Sequence, residues 1–273
     1  MDIKGRTVFV AGATSGLGLG VARHFAGRGA NVVLVGRRRE LAEQLATELG
    51  ETAIGVGADI AVPEQVAAAI NAAVDRFGTI DINVNTAGVQ GYVPLVGAEG
   101  PTDVADFTRM WSTNVVGTFN VMSRAAAVML NNEPDEDGER GVIVNTSSVA
   151  GEDGTVGMLG YTATKAALIG MTLPAAREFA GRGIRVNTIV AGGFDTPILD
   201  VTGREAAAGQ IQFFANPRRL GTSEEFAALA AHIVENGFFN AATPRLDAGY
   251  PGPPVIGWPG HPVHRRSRQR SPR

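Results

Sequence analysis

Tyr161 and Lys165 are the residues whose types and spacing most directly suggest chemistry. They lie four residues apart in the stretch Tyr161-Thr162-Ala163-Thr164-Lys165, so on a helix they share one face. A free tyrosine has a pKa of about 10 and is a poor proton shuttle at neutral pH. A nearby ammonium favours the phenolate and lowers that pKa. We therefore interpret the pair as a proton-transfer site in which Lys165 brings the pKa of Tyr161 toward neutral pH.

The composition of the chain supports this interpretation. The 273 residues contain three tyrosines and only two lysines, Lys4 and Lys165, among 24 basic residues. Chance predicts roughly 0.02 tyrosine and lysine pairs at this spacing. An ammonium is a compact point charge and a guanidinium is a planar fork, so a lysine retained in an arginine-rich chain points to a specific role.

Two other polar residues are candidates for the same site. Ser148 stands thirteen residues before Tyr161 and, like Ser147, follows a predicted strand. A hydroxyl at the carboxyl end of a strand lies at the ligand side of a doubly wound sheet, although either serine could simply cap the turn. Asn114 lies among apolar residues of a predicted helix and must find hydrogen-bond partners there, which by itself indicates a structural role.

A glycine-rich turn joins the first predicted strand to the first predicted helix. Gly12, Gly16 and Gly18 have the spacing G-x-x-x-G-x-G. Glycine lets the backbone approach a pyrophosphate, whose charge is favoured by the free N–H groups and by the dipole of the helix. We expect a dinucleotide to contact this turn, including Thr14, Ser15 and Leu17.

The end of the second predicted strand bears on the choice of cofactor. An NAD site usually places an acidic residue there to bind the ribose 2′-hydroxyl, but this chain has Gly36 followed by Arg37, Arg38 and Arg39. Cations attract a 2′-phosphate, so NADP(H) is favoured, with Arg37 as the first contact and Arg38 beside it. NAD(H) is the alternative, in which the arginines only solvate the next helix. Asp59 could bind the adenine amino group.

The pattern of the whole chain predicts an α/β fold. Short β-branched runs alternate with alanine-rich helical patterns, which is typical of a Rossmann-type doubly wound parallel sheet with helices on both faces. Seven strands are predicted, at 7–11, 31–35, 53–56, 80–85, 142–146, 185–190 and 243–246. Helices are predicted near 17–27, 38–49, 63–77, 105–130, 161–181 and 223–235, the last with Ser223 as its N-cap.

Composition excludes several classes of protein. With 44% apolar residues the chain can bury a full core, and with no cysteine it has neither disulfides nor thiolate metal sites. We expect no signal peptide, and the sequence has no apolar stretch of about 20 residues. We expect a cytoplasmic protein without membrane association, in which residues 1–249 form one catalytic domain.

Two segments depart from the repeating pattern. Asn131 to Arg140 is an acidic insert that we interpret as a solvated loop, and residues 250–273 form a tail with six prolines and five arginines that we expect to be extended or disordered. The net charge of −3 thus combines a body of −8 with a tail of +5. The acidic body is not typical of a nucleic-acid-binding protein, and a scaffold that binds RNA or an acidic partner through the tail is the alternative of another class.

Together these residues resemble the short-chain dehydrogenase/reductase family over residues 6 to about 249. The matching positions are Gly12, Gly16, Gly18, Asp59, Asn85-Thr86-Ala87-Gly88, Asn114, Ser148, Tyr161 and Lys165. The resemblance implies hydride transfer between a nicotinamide and a secondary alcohol or ketone, with Tyr161 moving the proton. It also implies that Ser148 holds the substrate oxygen, that Lys165 binds the ribose, and that Asn114 holds a relay water. The cofactor contacts it adds are Ile60, Asn85, Ala87, Gly88, Gly192, Phe194 and Thr196.

Within the family the chain resembles the 3-hydroxyacyl-CoA dehydrogenase branch. The supporting stretches are Asn132-Glu133-Pro134-Asp135, residues 170–174 and Arg245-Leu246-Asp247. This implies 3-hydroxyacyl or 3-oxoacyl thioester substrates in a homotetramer or homodimer, with steroids or other apolar carbonyl compounds as the alternative. Apolar residues between Gly193 and Ala215, including Ile198 and Phe214, are expected to form a lid over the substrate.

Overall fold

The structure is a computed structural model that describes residues 1–97, 100–202, 205 and 209–250. Its strands are β1 Thr7–Ala11, β2 Asn31–Gly36, β3 Ala53–Gly57, β4 Ile82–Asn85, β5 Val96–Gly97, β6 Gly100–Pro101, β7 Gly141–Ser148, β8 Ile184–Ala191 and β9 Arg245–Leu246. Within the described ranges, seven of them form one parallel sheet in the order β3-β2-β1-β4-β7-β8-β9. The short β5 and β6 pair antiparallel, apart from this sheet.

Helices cover both faces of the sheet. They are α1 Gly16–Gly27, α2 Arg39–Leu49, α3 Pro63–Phe77, α4 Val104–Trp111, α5 Thr118–Met129, α6 Ala150–Asp153, α7 Leu159–Glu178, α8 Leu199–Thr202 and α9 Ser223–Glu235. Side chains alternate along each strand, so Val8 of β1 packs in one core with Phe25 of α1 and Phe226 of α9. Its neighbour Phe9 packs in a second core with Ile70 of α3. The predicted doubly wound α/β fold is confirmed.

The position of the binding crevice follows from the order of the strands. The chain runs outward from β1 through β2 to β3 and then returns to place β4 on the other side of β1. The connections after β1 and β4 therefore leave the sheet in opposite directions and open a crevice at the carboxyl ends of these strands. Ligands of open α/β sheets bind at such a point.

The predicted helix over 105–130 is interrupted. It consists of α4, a π-helical turn at Ser112–Gly117 and α5. The turn contains Asn114, whose side chain is bound to a neighbouring loop. Over six residues the apolar pattern hardly differs between the two kinds of helix, so the sequence did not reveal the change. Such turns occur frequently at functional sites.

Some local predictions were wrong. The N-cap of α9 is Thr222 and not Ser223, because Thr222 and Glu225 form a reciprocal capping box. The acidic insert is not wholly solvated, since Glu139 is buried and pairs with Arg185 and with the amino terminus. The prediction for the tail concerns residues 250–273, of which only Tyr250 is described; Tyr250 is buried and packs against Phe214, so at this residue the prediction of an extended or disordered tail was wrong. Across the part of the chain that the structure describes, no helix is long and apolar enough to cross a membrane.

Candidate active site

A cavity of about 580 Å³ lies at the carboxyl ends of β1, β2 and β4. Its floor is the glycine turn. A Cβ atom on Gly12 would lie 2.6 Å from the backbone nitrogen of Ala87, and one on Gly18 would lie 2.2 Å from the carbonyl oxygen of Gly12. Gly12 also has a φ of +87°, which favours glycine. Side chains are thus excluded where the turn meets the residues after β4 and where α1 begins.

Most of the predicted cofactor residues line this cavity. They are Gly12, Thr14, Ser15, Gly16, Leu17, Gly18, Arg37, Arg38, Asp59, Ile60, Ala87, Gly88 and Thr196. One oxygen of the Asp59 carboxylate accepts a hydrogen bond from the backbone of Ala61, at 3.0 Å. That bond fixes the orientation of the carboxylate at the wall of the cavity.

The end of β2 has a specific arrangement of Thr14, Gly36 and Arg38. A Cβ on Gly36 would lie 2.7 Å from the Cγ2 atom of Thr14, so Thr14 occupies the space that a side chain at position 36 would need. One Nη atom of Arg38 donates to both the carbonyl and the hydroxyl oxygen of Thr14, at 3.2 Å each. A carboxylate at position 36 would therefore require the Thr14 side chain to move, and a guanidinium is held beside the glycine turn.

Five predicted cofactor residues do not line the cavity: Tyr161 and Lys165, which are described below, and three that have their contacts elsewhere. The side chain of Asn85 is buried and donates to Asn83 and to Asn145 of the adjacent strand. The ring of Phe194 packs against Phe226 in the core, with ring centroids 6.0 Å apart. The backbone nitrogen of Gly192 donates to Leu246. None of the three lines the cavity, because each serves the packing or pairing of β4, β8 or β9.

Some residues of the cavity were missed by the sequence analysis. They include Thr113, Val89 and Pro197. Each adjoins a predicted residue in the chain, and that adjacency is the only signal that could have indicated them.

Tyr161 and Lys165 lie on α7, one turn apart, and both are buried. The Nζ atom of Lys165 lies 5.6 Å from the centroid of the Tyr161 ring and donates a 2.8 Å hydrogen bond to the carbonyl of Thr146. Burial raises the pKa of Tyr161 to about 12, and a hydrogen bond with Ser148 opposes this to a smaller extent. Burial lowers the pKa of Lys165 to about 8.

These values contradict the expectation that Lys165 brings the pKa of Tyr161 toward neutral pH. Removal from water disfavours the charged form of both groups. The ammonium faces the ring and a carbonyl group, so its charge does not offset the burial of the phenol. At neutral pH the phenol is protonated and the amine is largely charged.

The two adjacent serines at the end of β7 have different contacts. The Ser148 hydroxyl lies near enough to the Tyr161 phenol to oppose the rise in its pKa, and its oxygen accepts from the backbone of Ala150 at 3.2 Å. The Ser147 hydroxyl donates instead to the carbonyl oxygen of Lys165, at 2.8 Å. Ser147 thus ties β7 to α7, and Ser148 places a hydroxyl beside the phenol.

Asn114 connects the π-helical turn to the loop after β4. Its amide group binds both the N–H and the carbonyl of Val89, each at 2.8 Å, and also donates to Thr164 at 3.0 Å. Both of its N–H donors are therefore used, and Oδ1 retains one free acceptor position. The absent side chain of Gly88 leaves a gap here, because a Cβ at that position would lie 3.3 Å from Asn114 Oδ1 and 3.6 Å from Lys165 Nζ.

A second cavity of about 370 Å³, which we call the side cavity, adjoins the first. It is lined by residues 88–93, Asp106, Arg109, Met110 and Ile198, of which Gly88, Val89 and Ile198 line both cavities. Val93 and Met110 of its wall pack in one cluster with Tyr161. Of the expected lid, Ile198 lies at the junction and its carbonyl accepts from Gln90 at 2.8 Å. Phe214 does not belong to a lid, because it is buried against Tyr250.

The chain was compared with known families and proteins. Residues 6–206 match the model of the family described as short chain dehydrogenase. The chain is 41% identical over 252 residues to 3-hydroxyacyl-CoA dehydrogenase type-2 of Bos taurus, covering 90% of this chain and 95% of that protein. It is 40% identical over 247 residues to the protein of the same name in Drosophila melanogaster, covering 90% and 97%.

Solved structures of dehydrogenases and reductases also resemble this chain. The crystal structure of a 3-hydroxyacyl-CoA dehydrogenase type-2 from Mycobacterium avium superposes with a TM-score of 0.87 at 38% identity, covering 92% of this chain and 97% of that one. The crystal structure of a 3-ketoacyl-(acyl-carrier-protein) reductase from Brucella melitensis, complexed with NADH, superposes with a TM-score of 0.82 at 29% identity and covers 92% and 100%. With its fold, its glycine turn and these relatives, the chain belongs to the short-chain dehydrogenase/reductase family and is an oxidoreductase.

Proposed function

We propose that this chain is an NADP(H)-preferring dehydrogenase/reductase that interconverts 3-hydroxyacyl and 3-oxoacyl thioesters. The observation that carries the proposal is the buried pair of Tyr161 and Lys165 with Ser148 beside the phenol, joined to the cavity over the glycine turn through Gly88, where a Cβ would lie 3.6 Å from Lys165 Nζ. The substrate class rests on the printed names of the relatives, several of which are 3-hydroxyacyl-CoA dehydrogenases. The apolar wall of the side cavity suits an acyl chain, and residues 1–249 constitute the catalytic domain.

The cavity fits a nicotinamide dinucleotide on the geometry of the chain itself. Gly12 and Gly18 have no space for a Cβ because the turn packs tightly against Ala87 and against itself, and the turn held in this way lines the cavity where a pyrophosphate would bind. Helix α1 begins at this turn without an acidic residue in its first turn, and its dipole favours an anion. A bound nicotinamide would supply the donor or acceptor of the hydride.

The preference for NADP(H) is supported by charge and by steric exclusion at the end of β2. Arg37 and Arg38 line the cavity, and Arg38 is oriented by its two hydrogen bonds to Thr14. Thr14 excludes the acidic side chain at position 36 that would select a 2′-hydroxyl. We therefore assign the 2′-phosphate to the guanidinium groups of Arg37 and Arg38.

Proton transfer is assigned to Tyr161. With a pKa of about 12 its phenol is protonated at neutral pH, so it is ready to donate to the substrate oxygen during reduction. Ser148 donates to the same oxygen and positions it. The charged amine of Lys165 stabilises the phenolate that remains after donation. A water in the gap beside Gly88 would bridge Lys165 Nζ and Asn114 Oδ1 and return the proton.

We further infer a cytoplasmic homodimer or homotetramer. Val116 and Phe119 beside the π-helical turn are 47% and 60% exposed, which places apolar surface where a second copy can cover it. The absence of cysteine from the chain fits a reducing compartment.

The proposal is tested by turnover of the purified protein. NADPH and NADH are each mixed with 3-oxoacyl thioesters of several chain lengths, with steroid ketones and with simple ketones, and cofactor oxidation is followed. We expect kcat/KM to be highest for a 3-oxoacyl thioester with NADPH. A higher value for a steroid ketone would overturn the substrate class, and an equal value with NADH would overturn the cofactor preference.

A further inference from the structure

Arg245, in the edge strand β9, has an unusually complete set of partners. Its guanidinium binds Asp153 through two hydrogen bonds of 2.8 and 3.0 Å, Glu152 at 2.8 Å, and Asp247 at 2.7 and 2.9 Å. It also donates to the carbonyl of Tyr250, at 2.9 Å. Three carboxylates from two separate segments thus converge on one cation whose side chain is only 32% exposed.

Two of these carboxylates belong to α6, the four-residue helix that follows the end of β7. Helix α6 begins two residues after Ser148, and the backbone N–H of its first residue, Ala150, donates to the Ser148 hydroxyl oxygen. The position of α6 therefore affects the direction in which the Ser148 hydroxyl points. Arg245 of β9 binds two carboxylates of α6 and so fixes the position of α6 relative to β9.

Helix α6 is also packed closely against α7, which carries Tyr161 and Lys165. A Cβ on Gly151 would lie 2.8 Å from the backbone nitrogen of Ala166 and 3.2 Å from the Cβ of Lys165. Helices α6 and α7 are already in close contact here. A shift of α6 would therefore move either Ser148 or α7, which carries Tyr161. The two hydroxyls must stay within hydrogen-bond distance for the proposed chemistry.

Only arginine can make this set of contacts. A guanidinium presents five donors in a planar fork, whereas an ammonium has three donors at a single point. Without the cation, the carboxylates of Glu152, Asp153 and Asp247 would repel one another. That repulsion would separate α6 from β9.

We propose that Arg245 is a positioning residue of the active site, which acts through α6 to hold Ser148 in hydrogen-bonding geometry with Tyr161. The inference rests on the proposed function, because it assigns Arg245 an effect on the Ser148 and Tyr161 chemistry. Arg245 contacts neither cavity, so its loss should change kcat and leave the binding of NADPH unchanged.

The test measures kcat, KM and the Kd of NADPH for Arg245→Ala and Arg245→Lys in 3-oxoacyl thioester reduction. We expect Arg245→Ala to lower kcat about 10- to 100-fold, in line with the usual effect of small misplacements, with the Kd of NADPH within about twofold. Arg245→Lys should recover part of the loss. The matched control is Arg28→Ala, which removes a similarly exposed arginine bound to one carboxylate, Glu235, away from the site. It should keep kcat unchanged.

A double-mutant cycle separates positioning from a general loss of stability. In a Ser148→Ala background, Arg245→Ala should cause no further loss of kcat, because the group through which it acts is already gone. If Arg245→Ala lowered kcat by the same factor in the Ser148→Ala background as in the wild type, the proposal would be overturned. A wild-type kcat for Arg245→Ala alone would also overturn it. Should Arg245→Ala fail to fold, Asp153→Asn takes its place in the same cycle. This variant keeps Arg245 and weakens its hydrogen bonds to α6.

The outcome also distinguishes this inference from the proposed function. If Tyr161→Phe retains full activity, the proposed chemistry fails irrespective of Arg245. If Tyr161→Phe is inactive and Arg245→Ala is fully active, the chemistry stands and only the positioning role is wrong.

Discussion

The ammonium of Lys165 lies over the ring of Tyr161, 5.6 Å from its centroid, and donates to the carbonyl oxygen of Thr146. Both side chains are buried, and burial moves the pKa of Tyr161 up and that of Lys165 down. At neutral pH Tyr161 is therefore a neutral proton donor, and the buried charge of Lys165 lowers the stability of the folded chain. This arrangement leads to predictions about stability and about rate.

Lys165→Met should change how the stability of the chain depends on pH. The pKa of Lys165 is lowered to about 8 in the folded protein. Between that pH and its ordinary pKa the unfolded chain binds the proton more tightly, so wild-type stability rises with pH across this window; below pH 8 both states are protonated and the destabilisation is constant. The free energy of unfolding of the wild type, relative to Lys165→Met, should rise by about 3 kcal/mol from pH 7 to 10.5.

Chemical denaturation of both proteins at several pH values provides this measurement. Tyr161 titrates in both, so its opposing effect above pH 10 largely cancels in the difference. A difference that does not vary with pH would show that Lys165 keeps an ordinary pKa.

The rate of carbonyl reduction should fall as the pH rises through about 8. Below this value Lys165 is charged and stabilises the phenolate that Tyr161 leaves behind, and above it the charge is lost. Tyr161 itself stays protonated to much higher pH. The pH profile of kcat measures this directly, and Lys165→Arg should remove the limb near pH 8 because arginine stays charged. A wild-type rate that rises with pH would contradict the assigned roles.

Cofactor preference should depend on Thr14 as much as on the arginines. Gly36→Asp alone should weaken NADPH binding without improving NADH binding, because Thr14 occupies the space of the new side chain. Combining it with Thr14→Gly removes the obstacle and should shift the preference to NADH. Fluorescence titration with both cofactors gives the Kd values. If Gly36→Asp alone creates tight NADH binding, Thr14 does not exclude the acid.

The arginines at the end of β2 allow an internal control. Arg38→Ala and Arg37→Ala should each raise the Kd of NADPH about 10-fold, which corresponds to about 1.4 kcal/mol per charged contact. Arg39→Ala should have no effect, because Arg39 pairs with Glu43 and does not line the cavity. Equal effects of all three would indicate nonspecific attraction, which salt would screen.

Gly88→Ala should impair proton return while leaving the fold intact. The added methyl group would occupy the gap between Asn114 Oδ1 and Lys165 Nζ, 3.3 and 3.6 Å from these atoms. We expect kcat to fall about 10-fold or more because one relay contact is lost, with little change in melting temperature. Gly170→Ala is the matched control, because a Cβ there meets nothing within 4 Å. Equal kcat values for the two variants would exclude a water at this position.

The sequence predicted the sheet well because its signals are local. The seven strands and the starts of α1 and α3 follow from β-branched runs, glycine turns and Pro63, all of which act within a few residues. The same holds for the spacing of Tyr161 and Lys165. It also holds for the glycine turn, where most predicted cofactor residues do line the cavity.

The rest depends on contacts between distant segments. The pKa of Tyr161 was predicted in the wrong direction because burial, which only the fold determines, outweighs the nearby ammonium. Asn85 and Phe194 were predicted to contact the cofactor. Their side chains instead bind Asn145 and pack against Phe226, residues that are distant in the sequence. The Arg245 cluster joins residues more than 90 positions apart, and no sequence spacing indicates it.

The central claim is that the phenol of Tyr161 donates the proton, and kcat of Tyr161→Phe for NADPH-dependent reduction of a 3-oxoacyl thioester tests it most directly. The matched control is Tyr250→Phe, which also removes a buried hydroxyl, one without a hydrogen-bond partner among the described residues. We predict a loss of about 100- to 10,000-fold for Tyr161→Phe, with a kcat close to wild type for Tyr250→Phe. Equal turnover by Tyr161→Phe and the wild type would contradict the account.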